Sequence, residues 1–138
     1  MLCASIAAQA QMKWNQQYQT YIDQYKDLAI EQMLKYRIPA SITLAQGLFE
    51  SGAGKSDLST RGNNHFGIKC HGWTGRTMNK DDDAANECFR AYDNPRQSYE
   101  DHSKFLARNT RYARLFQLKP TDYRGWANGL KACGYATN

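Results

Sequence analysis

The sequence predicts a mainly helical α+β domain with one small β-hairpin lobe. Over residues 13–37, apolar side chains recur every three or four positions, which is the period of an amphipathic helix. Between Phe66 and Tyr92 this period gives way to short β-like segments separated by glycine and aspartate turns. A chain of 138 residues fits one domain with a sizeable core, and we assign residues 13–138 to it.

Two helices are predicted before the hairpin. The first buries a stripe of apolar side chains, namely Tyr18, Tyr21, Ile22, Tyr25, Leu28, Ala29 and Met33. Residues 37–41 end it, and Pro39 is suited to open the second helix because proline has a fixed φ. The second helix is expected to bury Ile42, Ala45, Leu48 and Phe49. Glu50 stands at its end, before two glycines that cannot continue a regular helix cheaply.

The predicted β-lobe spans about residues 66–92 and follows a polar stretch, residues 55–64, with room for one helical turn. Cys70 and Cys88 are expected on the two arms of its hairpin. In an oxidising compartment they would form a disulfide, and a loop of this length gains about 3 kcal/mol of stability from closure. The cysteines form no Cys-x-x-Cys pair, which disfavours a zinc ribbon or a thioredoxin-type motif. Cys133 is interpreted as a buried free thiol.

Helical segments are also predicted after the hairpin. Residues 93–95 (Asp-Asn-Pro) are typical of a helix start, with a break expected near Asn109. The apolar series continues in Tyr112, Leu115, Phe116 and Leu118. The last helix starts at residues 120–122 and stops at Cys133 and Gly134. It is expected to bury Tyr123, Trp126, Ala127 and Leu130.

The first ten residues are small and apolar and end in Ala8-Gln9-Ala10, which has the form of a signal-peptidase site. We interpret residues 1–10 as the tail of a signal peptide, and expect export to the periplasm, the cell envelope or the medium. Cys3 would leave with this segment. No apolar run reaches the roughly 18 residues of a membrane-spanning helix. A monomer is expected.

The formal net charge of +5 favours anionic partners, such as nucleic acid, an acidic membrane surface or an anionic cell-wall polymer. The lysines and arginines are scattered and form no basic stripe, which disfavours nucleic-acid binding. Charge alone does not choose among the other anionic partners.

Glu50 is a candidate general acid. A carboxyl group at the edge of apolar surroundings loses hydration of its charged form, so its pKa rises and it keeps a proton near neutrality. The alternative is an ordinary last-turn glutamate that faces water.

Four motifs occur in order along the chain: residues 38–46 (IPASITLAQ), 50–56 (ESGAGKS), 63–69 (NNHFGIK) and 134–138 (GYATN). Together they resemble the N-acetylglucosaminidase family of bacterial autolysins and flagellar muramidases, glycoside hydrolase family seventy-three. The resemblance covers about residues 25–138. It implies a lysozyme-like helical domain whose β-lobe borders a glycan-binding groove, and cleavage of the β-1,4 bond after N-acetylglucosamine in peptidoglycan.

The resemblance also implies roles for particular residues. Glu50 is the general acid, and Tyr135 lies near it, where its hydroxyl would position the substrate's acetamido group or the attacking water. The second carboxylate comes from the β-lobe, where Asp82 is our choice among Asp81, Asp82, Asp83 and Glu87. A distant base acting on water would invert the configuration, whereas attack by the substrate's acetamido oxygen would retain it. The sequence leaves these alternatives open.

Further residues are expected to bind substrate or to shape the groove: Asn63, Asn64, Phe66 and Trp73. Trp126 is expected in the core. The three histidines are isolated and the Asp81–Asp83 run lacks the ligand pattern of a calcium loop, so no metal or other cofactor is expected.

Two other functions fit the same sequence. One is a catalytically weak module that only binds peptidoglycan. The other is an endo-N-acetylglucosaminidase acting on chitin-like or glycoprotein glycans, which shares the chemistry and differs in the groove.

Overall fold

The computed structural model describes residues 15–135. The helices are α1 (Gln16–Tyr36), α2 (Ala40–Glu50), α3 (Asp57–Gly62), α4 (Pro95–Arg108) and α5 (Tyr123–Ala132), with a 3-10 helix at Thr110–Gln117 between the last two. Two antiparallel strands, β1 (Thr77–Lys80) and β2 (Glu87–Arg90), lie between α3 and α4. The predicted mainly helical α+β class is confirmed. The predicted signal-peptide tail, residues 1–10 with Cys3, lies outside the described residues.

The helix boundaries follow from the capping residues. α1 ends at Arg37, whose left-handed backbone (φ 65°) lets its N–H bond to the Met33 carbonyl oxygen (2.8 Å). Pro39 then precedes the first residue of α2. Asn94 starts α4 by accepting a hydrogen bond from the Gln97 N–H, with Pro95 as the first helical residue. Each of these boundaries was predicted.

The main core joins α2 to the helices that follow the β-lobe. It contains Ile38, Ile42, Leu106, Tyr112, Leu115, Trp126 and Leu130. Trp126 is fully buried, as predicted. Tyr123, in contrast, is 52% exposed, and Ala127 is exposed as well, so the predicted buried face of α5 is wrong at these two positions. Cys133 is only half-buried and has no disulfide partner among residues 15–135.

A second core lies between α1, α4 and the segment after α3. It is formed by Ala29, Phe66, Ile68 and Tyr99. Beside it the Tyr99 hydroxyl bonds to the Tyr21 oxygen (2.8 Å), and the Tyr21 hydroxyl bonds to Nδ1 of His65 (2.8 Å). Both hydroxyls lie against Gly47 of α2, so tertiary packing rather than helix propensity explains a glycine at this position.

The β-lobe differs from the prediction in one respect. Cys70 was predicted on the hairpin arm opposite Cys88. In the structure, Cys88 of β2 pairs with Asn79 of β1, so Cys70 does not lie on that arm. Cys70 lies on a third segment along the other edge of β2, where its N–H bonds to the Cys88 carbonyl oxygen (3.1 Å). The predicted Cys70–Cys88 disulfide is present there and ties this segment to the hairpin.

No helix among residues 15–135 is both long enough and apolar enough to cross a membrane.

Candidate active site

Glu50 is the last residue of α2. The next turn contains three consecutive residues with left-handed backbone, Gly52, Ala53 and Gly54, which turn the chain away from the helix axis. Ser51 is fully buried, and its hydroxyl oxygen accepts a hydrogen bond from the Gly54 N–H (2.8 Å). The end of α2 is therefore fixed, and the Glu50 side chain emerges from it into a cleft.

The cleft has a volume of about 660 Å³ and lies between the helices and the β-lobe. The α2 end, the segment after α3, the loop of the β-lobe, the 3-10 helix and the C-terminal turn all contribute to its lining. The lining residues are Phe49, Glu50, Phe66, Gly67, Ile68, Lys69, His71, Asp82, Asp83, Phe105, Arg111, Tyr112, Gly134 and Tyr135.

The pKa of Glu50 is raised above its ordinary value. Partial burial of the carboxyl group is the larger cause, although the residue keeps exposed surface in the cleft, and the negative charge of Asp82 is the second. Both effects disfavour the ionised form. Glu50 therefore holds a proton to higher pH than a solvated glutamate does, which is the property that a general acid needs.

Asn64 fixes the segment that faces Glu50. Its side-chain oxygen accepts hydrogen bonds from the N–H groups of Phe66 (3.3 Å) and Ile68 (3.2 Å), and its amide donates to the carbonyl oxygens of Ile68 and Arg90. The enclosed Gly67 has a φ of 65°, and a Cβ atom there would lie 3.8 Å from Oε2 of Glu50. Asn64 is buried and thus shapes the cleft from behind.

Phe66 forms part of the cleft floor. Its ring stacks on His102 at 3.9 Å between centroids and meets Tyr99 edge-on at 4.9 Å. Nε2 of His102 is 2.8 Å from the side-chain oxygen of Gln46, and burial lowers the pKa of His102 to about 3, so the imidazole is neutral. This packing holds the floor rigidly beside Glu50.

Tyr135 lies in the same cleft, in the turn after α5. Its N–H bonds to the Leu130 carbonyl oxygen (3.0 Å), and its ring packs against Tyr112 (5.9 Å) and His102 (6.2 Å). Burial raises the pKa of its hydroxyl, and the charge of Glu50 raises it further. Glu50 and Tyr135 are therefore neighbours. Residues 136–138 of the fourth motif lie outside the described residues.

The acidic residues of the β-lobe have different partners. The Asp81 carboxylate accepts a hydrogen bond from the Asn86 N–H (2.7 Å) within the loop. Asp83 and Glu87 pair with the Lys69 ammonium group at 3.5 and 2.8 Å. Asp82 lines the cleft, and its charge acts on Glu50. Among the four candidates, Asp82 is the one that both lines the cleft and acts on the Glu50 carboxyl group.

Carboxylate oxygens of three residues, Asp82, Asp83 and Glu87, lie within 4.8 Å of one another. Among residues 15–135, this is the one group of three or more histidine, cysteine or acidic side chains that lie close enough together to hold a metal ion. Lys69 already supplies a positive charge to two of them. The grouping alone does not indicate a metal site.

Trp73 does not line this cleft. Its indole N–H donates to the Arg76 carbonyl oxygen (2.9 Å), its ring meets Tyr92 edge-on, and it borders a separate cavity with Arg76 and Asp93. Asn63 is also absent from the cleft lining; its amide donates to the Tyr92 carbonyl oxygen (3.0 Å). We therefore leave Trp73 and Asn63 out of the candidate active site.

The model of the glucosaminidase family, described as mannosyl-glycoprotein endo-beta-N-acetylglucosaminidase, matches residues 26–138, which is most of the chain. The chain belongs to the glucosaminidase family. The resemblance inferred from the four motifs is thereby confirmed.

Relatives of this chain include the exo-glucosaminidase LytG of Bacillus subtilis, 30% identical over 87% of this chain and 46% of LytG. The peptidoglycan hydrolase FlgJ of Vibrio parahaemolyticus is 29% identical over 87% of this chain and 42% of FlgJ. The chain thus spans less than half the length of either relative.

Among solved structures, a peptidoglycan hydrolase from Sphingomonas sp. A1 superposes with a TM-score of 0.73 at 30% identity, over 87% of this chain and 80% of that one. The predicted lysozyme-like helical fold with its small β-lobe is confirmed.

Phe49 and Arg111 are among the cleft residues that were not predicted from the sequence. Phe49 was expected in the core but is 76% exposed and lines the cleft beside Glu50. Ala45, on the same predicted buried face, is exposed as well. Arg111 lies on the 3-10 helix. Its place in the cleft was not predicted, because an isolated arginine in a polar stretch carries no local signal.

Proposed function

We propose that this chain is an exported endo-β-N-acetylglucosaminidase that cleaves the β-1,4 bond after N-acetylglucosamine in peptidoglycan. The observation that carries the proposal is the raised pKa of Glu50, whose carboxyl group lies at the end of α2 in the cleft between the helices and the β-lobe. Glycoside hydrolysis needs a protonated carboxyl group beside the leaving oxygen. The names of the relatives, peptidoglycan hydrolase and glucosaminidase, support the substrate class.

In the proposed reaction, Glu50 donates its proton to the glycosidic oxygen as the bond to the anomeric carbon breaks. Asp82 stands on the β-lobe side of the cleft, where it could deprotonate an attacking water or stabilise the positive charge of the sugar ring. Tyr135, next to Glu50, is proposed to hold the acetamido group of the substrate or the attacking water. Inversion follows from attack by water, and retention from attack by the acetamido oxygen.

Export is part of the proposal. A disulfide such as Cys70–Cys88 persists in oxidising compartments, and peptidoglycan lies outside the cytoplasmic membrane. Fractionation of cells that express the chain, followed by N-terminal sequencing of the exported form, tests this part. Recovery only from the cytoplasm, uncleaved, would contradict it.

The experiment that tests the reaction is digestion of purified peptidoglycan, with borohydride labelling of new reducing ends and mass spectrometry of the fragments. We expect N-acetylglucosamine at the labelled ends and fragments longer than one sugar. Muramic acid at the ends would contradict the bond specificity, and single N-acetylglucosamine residues would indicate exo cleavage, the activity in the name of LytG. Binding to peptidoglycan without new ends would favour the binding-module alternative.

Glycoprotein glycans are the second candidate substrate, because the family description names a mannosyl-glycoprotein endoglucosaminidase. Release of N-glycans from a denatured glycoprotein, at a rate exceeding that on peptidoglycan, would favour this candidate.

A further inference from the structure

Arg111 is a cation in the cleft, and its guanidinium group has no acidic partner within the described part of the chain. No carboxylate among residues 15–135 lies within ion-pair distance of its guanidinium group, and its side chain is exposed in the cleft. The lysine of the same cleft differs, because Lys69 is paired with Glu87 (2.8 Å) and Asp83 (3.5 Å). Arg111 is therefore free to bind an anion that enters the cleft.

The guanidinium group is held in place. The backbone N–H of Arg111 donates to the side-chain oxygen of Asn109 (3.0 Å), and this bond fixes the start of the 3-10 helix. One guanidinium nitrogen donates to the Tyr112 hydroxyl (3.1 Å), and the group lies 5.2 Å from the centre of the Tyr112 ring. Tyr112 is buried and packs against Tyr135. Arg111 is thus oriented by a side chain that also supports the proposed catalytic tyrosine.

An anionic group of the substrate explains a cation at this position. Lys69 is already paired, and the two aspartates that line the cleft, Asp82 and Asp83, would repel a carboxylate. Chitin and the N-acetylglucosamine core of glycoproteins are neutral. Peptidoglycan carries carboxylates only on the muramic acid side, either on the lactyl ether itself or on the peptide attached to it.

We infer that Arg111 is a specificity-determining residue that binds a carboxylate of the muramic acid unit or of its peptide. A guanidinium group binds a carboxylate through charge-assisted and often bidentate hydrogen bonds. This inference rests on the proposed function for its substrate class. It gives this cleft a means to distinguish peptidoglycan from neutral N-acetylglucosamine polymers.

The test measures binding rather than turnover, so that its failure is distinguishable from a failure of the proposed reaction. The full chain carrying Glu50→Gln is sedimented with insoluble peptidoglycan over a range of concentrations, alone and with Arg111→Ala or Arg114→Ala added. Arg114 is the matched control because it lies exposed on the same 3-10 helix, outside the cleft lining. Each protein is also tested on peptidoglycan whose carboxyl groups have been amidated.

We expect Arg111→Ala to weaken binding to native peptidoglycan by about tenfold, the effect of losing one charge-assisted contact, and Arg114→Ala to change it little. On amidated peptidoglycan, the difference between the parent and Arg111→Ala should vanish. An additional Arg111→Lys variant should restore part of the affinity. Equal weakening by Arg111→Ala on native and amidated material would overturn the inference, because it would indicate a role independent of charge.

Two further arms complete the test. Tyr112→Phe removes the hydroxyl that orients the guanidinium group but keeps the positive charge of Arg111. A loss of binding as large as that of Arg111→Ala, on both native and amidated peptidoglycan, would assign the effect to Tyr112 and overturn the inference. When an amidase hydrolyses the bond between the lactyl group and the peptide, the stripped glycan strands carry a free lactyl carboxylate in place of the peptide. Retained discrimination on them assigns the contact to the lactyl group, and its loss assigns the contact to the peptide; either result supports a bound carboxylate.

Discussion

Asp82 lies close enough to Glu50 for its negative charge to raise the pKa of the Glu50 carboxyl group. Glu50 ends a helix of the main body and Asp82 belongs to the loop of the β-lobe, so this interaction couples the two sides of the cleft. The pKa of Glu50, the proposed acid, thus depends on the position of the β-lobe.

Asp82→Asn is predicted to shift the pH dependence of catalysis. Loss of the charge lowers the pKa of Glu50, so Glu50 deprotonates at lower pH and the basic limb of kcat moves to more acidic pH. The measurement is a pH–rate profile of both proteins on peptidoglycan. Asp81→Asn is the control, because an asparagine there can still accept the Asn86 N–H bond. A basic limb that stays in place in Asp82→Asn, or moves equally in Asp81→Asn, would count against the coupling.

Phe49→Ala is predicted to raise KM by about two- to tenfold through loss of an exposed aromatic contact to the glycan. The thermal midpoint should change little, since a side chain that is 76% exposed contributes little burial. Steady-state kinetics and a thermal scan check both points. Leu34→Ala is the control, because Leu34 is 81% exposed on α1 and does not line the cleft. An unchanged KM would remove Phe49 from the substrate path.

Gly47→Ala is predicted to lower the free energy of unfolding by about 1–3 kcal/mol, the usual range for overpacking a core. The added Cβ would lie 2.6 Å from the Tyr21 hydroxyl oxygen and 2.9 Å from that of Tyr99. Urea unfolding measures the loss. In a Tyr21→Phe background the same substitution should cost less, because one clashing atom is gone. Equal losses in the two backgrounds would place the strain elsewhere.

His65 is predicted to make the fold less stable in acid. Burial lowers its pKa from 6.5 to about 4, so between these values the unfolded chain binds a proton that the folded chain does not. Stability therefore falls as pH decreases through this window, by at most about 1.4 kcal/mol per pH unit for one histidine. Urea midpoints at several pH values should have a shallower slope in His65→Gln and an unchanged slope in His71→Gln, which replaces an exposed histidine. A His65→Gln slope equal to that of the wild type would contradict the prediction.

The sequence predicted the helices well because their ends carry local signals. Asn94-Pro95 and Asp122 cap helices by contacts within one turn, and such contacts depend little on the rest of the fold. The four motifs likewise predicted Glu50 and Tyr135, which are distant in the sequence and line the same cleft.

The errors have a common physical origin. Phe49 and Ala45 continue the helical apolar period, yet Phe49 lines the cleft and Ala45 is exposed. Periodicity alone does not distinguish such positions from core positions. Cys70 was assigned to the wrong segment because strand pairing depends on contacts between distant residues. Trp73 packs against Tyr92 and Arg76 outside the cleft, which composition alone could not predict.

The central claim is that Glu50 supplies the proton, and Glu50→Gln tests it most directly. The measurement is the initial rate of reducing-end release from peptidoglycan by folded wild type, Glu50→Gln and Glu31→Gln, the last replacing a surface glutamate that pairs with Arg96 outside the cleft. We predict a loss of about 10²- to 10⁴-fold for Glu50→Gln, the usual contribution of a general acid, and a near wild-type rate for Glu31→Gln. A Glu50→Gln protein that retains the wild-type rate would contradict the account.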